Sequence, residues 1–139
     1  MTAPAVRVLL AEDDSNDILF FQRAAAKLRL PWVIEVATDG ETAARILQEE
    51  GAPSHVVLDL KLPRRSGLEV LAALRADPAR TGTRVVVLTS SQERRDLDEA
   101  TRLGVDRYLV KPVSTPELLR IVGEIARIWG MVPAEESGA

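Results

Sequence analysis

Apolar residues along this chain follow two alternating patterns. Short runs almost continuous in Val, Leu and Ile are separated by longer stretches in which apolar positions recur every three or four residues. Residues 6–11, 55–60, 84–89 and 106–110 are of the first kind. The first three hold few polar side chains in their interiors, which predicts strands buried on both faces and hence a parallel sheet. Residues 32–38 alternate more and place Glu35 at a polar position, as an edge strand with one partly wet face would. Helical spacing joins Ile18, Phe21, Ala25 and Leu28, then Leu68, Leu71 and Leu74, then Leu118, Ile121, Val122, Ile125 and Ile128. Thinner stripes over residues 42–49 and 93–103 complete five helices.

Local signals punctuate these segments. Ser114 with Glu117 reads as a capping box, and Pro116 suits a first turn. Ser66 precedes the third helix, Asp39-Gly40 turns into the second, and Asp77-Pro78 ends the third, because a residue before proline disfavours helix. Asp14, Ser15 and Asn16 open the first. The order is β then α, repeated five times. It predicts an α/β fold, a doubly wound, five-stranded parallel sheet with helices on both faces and right-handed crossovers. Ligands of such folds bind beyond the carboxyl ends of the strands.

Composition narrows the chemistry. With 139 residues the chain has the size of one domain, and 46% hydrophobic against 28% charged residues is a globular balance. There is no cysteine and a single histidine, His55, which excludes disulfides, thiolate metal centres and multi-histidine sites. At the start of a strand, His55 reads as a surface residue. A net charge of −3 gives no general affinity for nucleic acid or an anionic membrane. No signal peptide and no apolar run of membrane-spanning length is apparent, so the expectation is a cytoplasmic protein.

Chemistry gathers at the predicted strand ends. The first strand runs into Glu12-Asp13-Asp14, the third carries Asp59, the fourth ends in Thr89-Ser90-Ser91 and the fifth in Lys111-Pro112. A parallel sheet brings these to one edge. Asp59 lies where a buried strand should stay apolar, and an unpaired carboxylate there costs several kcal/mol. Carboxylates about 4 Å apart repel by roughly 4 kcal/mol at an effective dielectric of 20. Two solutions remain open: neutralisation by Lys111, or a hard divalent cation such as Mg2+. With a hydroxyl and an ammonium added, the set suits phosphoryl transfer to an aspartate, which needs charge neutralisation and an aligned acceptor.

These residues resemble those of two-component response regulator receiver domains. The resemblance is carried by Leu9-Leu10-Ala11-Glu12-Asp13-Asp14, Val57-Leu58-Asp59-Leu60-Lys61-Leu62-Pro63, Ser66-Gly67, Val87-Leu88-Thr89-Ser90 and Tyr108-Leu109-Val110-Lys111-Pro112, and covers about residues 5–129. It implies the flavodoxin-like receiver fold with strand order 2-1-3-4-5. Asp59 would accept phosphate, and Glu12, Asp13 and Asp59, with the carbonyl of Lys61, would bind Mg2+. Thr89 and Lys111 would contact the phosphoryl group, with Ser90 and the Lys61 side chain in its surroundings. Thr89 and Tyr108 would form the switch, and Lys111-Pro112 would be a cis bond. Residues 1–129 would be the receiver domain and 130–139 a short tail without an output domain.

A sensor histidine kinase is the implied partner, docking near the first helix, where the unbroken run Ile18-Leu19-Phe20-Phe21 must turn an apolar side chain outward. Leu30-Pro31-Trp32, Thr89-Ser90-Ser91 and a last helix ending in Trp129 are similar to stand-alone regulators of phytochrome-type kinases, including bacteriophytochromes. Trp129 and Met131-Val132-Pro133 would then either cover the core or join a homodimer through the last helix and tail. The function expected is phosphoryl acceptance followed by conformational change or dimerisation, with catalysis confined to the domain's own phosphorylation and hydrolysis. A relay intermediate, a phosphate sink and a phosphorylation-independent scaffold are the alternatives. A haloacid-dehalogenase-type enzyme would need an aspartate where Lys61 stands. A nucleotide or flavin binder would need a phosphate loop where Glu12-Asp13-Asp14 stands.

Overall fold

In the computed structural model, which describes residues 4–131, five parallel strands lie in the order β2-β1-β3-β4-β5. The strands are β1 (Val6–Ala11), β2 (Trp32–Ala37), β3 (His55–Leu58), β4 (Arg84–Thr89) and β5 (Arg107–Val110). Between and after them run α1 (Ser15–Lys27), α2 (Gly40–Gln48), α3 (Gly67–Ala76), α4 (Arg94–Arg102) and α5 (Thr115–Ile128), with a single 3-10 turn at Pro78–Arg80. The doubly wound sheet expected from the apolar runs is therefore present.

Side chains alternate across the sheet and divide the core in two. Leu9, Val56, Leu58, Val85 and Val87 face α2, α3 and α4, where Leu47, Leu71 and Ala100 meet them. Val8, Leu10, Val57, Val86 and Leu88 face α1 and α5, against Phe21, Val122 and Ile125. Each such Val or Leu contributes about 1.5–3 kcal/mol by leaving water. β2 is the partly wet edge its alternation predicts, with Val33 exposed on it.

Element ends are set by side-chain chemistry. Asp14 caps α1 by accepting the Asp17 N–H, and Asp39 caps α2 by accepting that of Thr42. The reciprocal capping box forms at Ser66 and Glu69 in α3. At Ser114 the hydroxyl accepts from the Glu117 N–H, while the Glu117 carboxylate pairs with Arg120 at 3.9 Å. The strand expected to reach residue 60 stops at Leu58, because the chain turns under α3 there. The Gly67 N–H donates to the Leu60 carbonyl at 3.0 Å, and a Cβ on Gly67 would sit 2.3 Å from the Asp59 carbonyl oxygen. Only glycine permits α3 to start so close to β3.

Trp129 is turned into the molecule. It packs against Trp32 at 5.6 Å and edge-on to His55 at 4.8 Å, and its indole N–H donates to Asp106. Of the two readings of this residue, covering the core is the one its burial fits. Val132 and Pro133 of the tail lie outside the described residues. His55 is half-buried rather than a free surface group, and burial lowers its imidazole pKa.

Candidate functional site

The ends of β1, β3 and β5 place the chemistry through the ladder itself. One residue beyond each strand, the backbone still bonds to a neighbour: Glu12 N–H to the Ala37 carbonyl (2.9 Å), Asp59 N–H to that of Ala11 (3.0 Å) and Lys111 N–H to that of Thr89 (2.8 Å). Side chains at these positions inherit the rigidity of the sheet. Thr89 itself is the last residue of β4 and is fully buried.

Asp59 is saturated with donors. Its Oδ1 accepts the Thr89 hydroxyl (2.8 Å) and the Lys61 N–H (3.1 Å), and its Oδ2 accepts from Lys111 Nζ (2.8 Å). The ammonium also contacts Glu12 Oε1 (2.7 Å) and Asp17 Oδ2 (2.9 Å), so one lysine serves three carboxylates. Burial alone would lower the Lys111 pKa, but its bonds to Asp59, Glu12 and Asp17 hold it above the ordinary range. Burial pushes the Glu12 carboxyl up to about 7, against the opposing pull of Lys111 and the Asp14 N–H. One ammonium does not offset this much clustered negative charge.

Glu12, Asp13 and Asp59 each offer a carboxylate oxygen, all within 4.8 Å of one another. Three hard oxygen donors, one of them exposed to exchange with water, fit Mg2+ rather than a softer metal. The Lys111–Pro112 bond is not the cis bond expected: no cis peptide occurs among the described residues. A trans bond is the lower-energy form for proline, and the three carboxylates draw the ammonium into the pocket without isomerisation.

The remaining expected residues fall into place unequally. Tyr108 is half-buried on β5 and its hydroxyl donates to the Ser91 carbonyl (2.9 Å), with burial raising the phenol pKa. Lys61 meets Asp59 through its backbone, while its side chain is exposed. Ser90 is exposed, and the buried hydroxyl belongs to Ser91, which donates to Asp96 at 2.5 Å and ties the β4–α4 loop to the first turn of α4. Ser91 N–H also points at Thr89 Oγ1 (3.4 Å), linking that loop to the site. Leu19 and Phe20 are exposed as the apolar run required. Phe20, Pro112, Val113 and Leu118 line a groove of about 200 Å3 that opens beside Lys111. Sequence reasoning missed Asp17, because an acid in a helix's first turn is common for dipole reasons alone.

A doubly wound sheet with an acidic cluster, a hydroxyl and a lysine at its strand ends defines a phosphoryl-accepting α/β domain. Residues 8–123 match the response regulator receiver domain family, and the chain belongs to it. It is 37% identical over 127 residues to the probable methanogenesis regulatory protein FilR2 of Methanothrix harundinacea, covering 88% of this chain and 82% of that one. It is 31% identical to the response regulator Rcp1 of a Synechocystis strain, covering 91% and 90%. The Mn2+-bound structure of Rcp1 superposes with a TM-score of 0.81 over 89% of this chain and 94% of the other. The phosphorylated cyanobacterial phytochrome response regulator RcpA gives 0.83 at 33% identity, over 90% and 94%. Receiver domains bind Mg2+ at this acidic pocket, take phosphate on an aspartate and interact with histidine kinases. No helix among the described residues is long and apolar enough to cross a membrane.

Proposed function

We propose that Asp59 accepts a phosphoryl group from a sensor histidine kinase and that residues 1–129 form the receiver domain that does so. The observation that carries this reading is the environment of the Asp59 carboxylate, ringed by the Thr89 hydroxyl and the Lys111 ammonium and 3% exposed. Glu12, Asp13 and Asp59, with the Lys61 carbonyl, would hold Mg2+, which when bound neutralises charge on the transferring phosphoryl oxygens. An Asp59 oxygen attacks phosphorus and the new P–O bond forms. The P–N bond to the kinase histidine breaks, its electron pair leaving on the imidazole nitrogen. Lys111 then moves its Asp59 bond onto a phosphoryl oxygen. The Thr89 hydroxyl follows, and Tyr108 responds through the Ser91 carbonyl it already bonds.

Kinase docking at Leu19 and Phe20 is supported by their exposure and by the groove that Phe20 lines beside Lys111. RcpA, a phytochrome response regulator, supports a phytochrome-type kinase as the donor. A homodimer through the last helix would meet the side carrying Arg120 and Arg127, since Trp129 faces inward.

Treatment with phosphoramidate and Mg2+ tests the acceptor. The expected product is a hydroxylamine-labile phosphate in the wild type and none in Asp59→Asn. A hydroxylamine-resistant phosphate, or one retained by Asp59→Asn, contradicts the assignment. Lys61, two residues past Asp59, would obstruct water approaching the acyl phosphate and prolong its life. Lys61→Ala should then shorten the phosphoryl half-life severalfold, and an unchanged half-life removes that role.

A further inference from the structure

An ammonium has three N–H donors, and three carboxylate oxygens lie within reach of Lys111 Nζ: Glu12 Oε1 as an ion pair at 2.7 Å, and Asp59 Oδ2 and Asp17 Oδ2 as hydrogen-bond acceptors at 2.8 and 2.9 Å. Two of these acceptors have other duties. Glu12 and Asp59 belong to the cluster whose oxygens lie within 4.8 Å of one another and would share a cation, and Asp59 is also the atom donor that phosphorus would join. Asp17 stands outside that cluster. It comes from α1, whose first turn is fixed because the Asp17 N–H donates to the capping carboxylate of Asp14 at 2.9 Å. When Asp59 becomes an acyl phosphate, its contact with the ammonium is exchanged for a phosphoryl oxygen. The Asp17 contact need not change.

We infer that Asp17 is a positioning residue for phosphoryl transfer, holding the Lys111 ammonium in the pocket while Asp59 and Glu12 exchange partners. A lysine head on a flexible four-carbon stem needs such a tether, since an ammonium displaced by even an ångström loses much of its effect on the transferring group. The side chain of Asp17 is 43% exposed, so its removal leaves no buried void, water can take the Lys111 N–H it frees, and stability should barely move. This inference rests on Asp59 being the acceptor.

The test uses acetyl phosphate as donor, the Asp59 oxygen bonding phosphorus while acetate leaves with the electrons of its P–O bond, and Mn2+ as the metal probe. Asp17→Ala should lower the maximal phosphorylation rate roughly tenfold while shifting Mn2+ affinity less than about threefold, a small change of the kind one half-exposed charge produces. Asp17→Glu, which restores a carboxylate on the same face, should recover most of that rate. An unchanged rate in Asp17→Ala overturns the inference. So does a loss of Mn2+ affinity matching the loss of rate, which would make Asp17 part of the metal's acidic field, or an Asp17→Glu protein as slow as Asp17→Ala. A wild type that takes no phosphate, or an Asp59→Asn protein that takes as much, instead refutes the acceptor assignment and this inference with it.

Discussion

Glu12 and Asp59 are 4% and 3% exposed, so the site holds two buried carboxylates against one lysine. Burial first, and the nearby charge of Asp59 to a smaller extent, lift the Glu12 carboxyl from 4.5 to about 7. The sign of the consequence follows from which form binds what. The protonated form is favoured in the folded protein, so the contribution of Glu12 to metal-free stability is full below about 4.5 and lost as pH rises through about 7. A cation needs the carboxylate, and proton and metal therefore compete. Mg2+ affinity should fall severalfold between about pH 7 and pH 6, and Glu12→Gln should bind weakly with a flatter profile; calorimetric titration at several pH values checks this. Asp59, Thr89 and Lys111 were legible in the sequence because each interrupts or ends an apolar run where a polar group is costly. Asp17 was not legible, since an acid in a helix's first turn carries no sign of which distant lysine it will meet.

At the scale of elements, the strands were legible because β1, β3 and β4 are apolar on both faces, a pattern that helices do not need. The end of β3 was misjudged because Leu60 is as apolar as a strand residue. Its burial at 4% comes instead from packing beneath α3. What sets that boundary is Gly67, whose missing side chain lets the first turn of α3 approach the Asp59 carbonyl. A methyl group there would push the α3 start and the Asp59 loop apart, since the atoms it meets are backbone and cannot rotate away. Gly67→Ala should cost about 1–3 kcal/mol as an overpacked contact and slow phosphorylation more than Ala substitution at the neighbouring, half-buried Arg65. Denaturant midpoints and phosphorylation rates measured together would show it; a variant with both unchanged refutes the close approach. The tie made by Ser91 was not legible either, because its carboxylate partner Asp96 comes from the following helix and is buried with it.

Across the whole molecule the sheet serves as a rigid rack. Its two faces are packed by separate apolar clusters, one under α2, α3 and α4 and one under α1 and α5. The site lies at the seam between them, touching α1 through Asp17 and the β4–α4 loop through Thr89 and Ser91. A change of charge at Asp59 therefore reaches both layers by bonds already in place. This depends on Asp59 taking a phosphoryl group, and the measurement that tests it most directly is mass spectrometry of the intact chain and its peptides after acetyl phosphate treatment with and without Mg2+. The account predicts a gain of one phosphoryl mass, dependent on Mg2+ and confined to the peptide containing Asp59. No gain, or a gain located on any other residue, would contradict it.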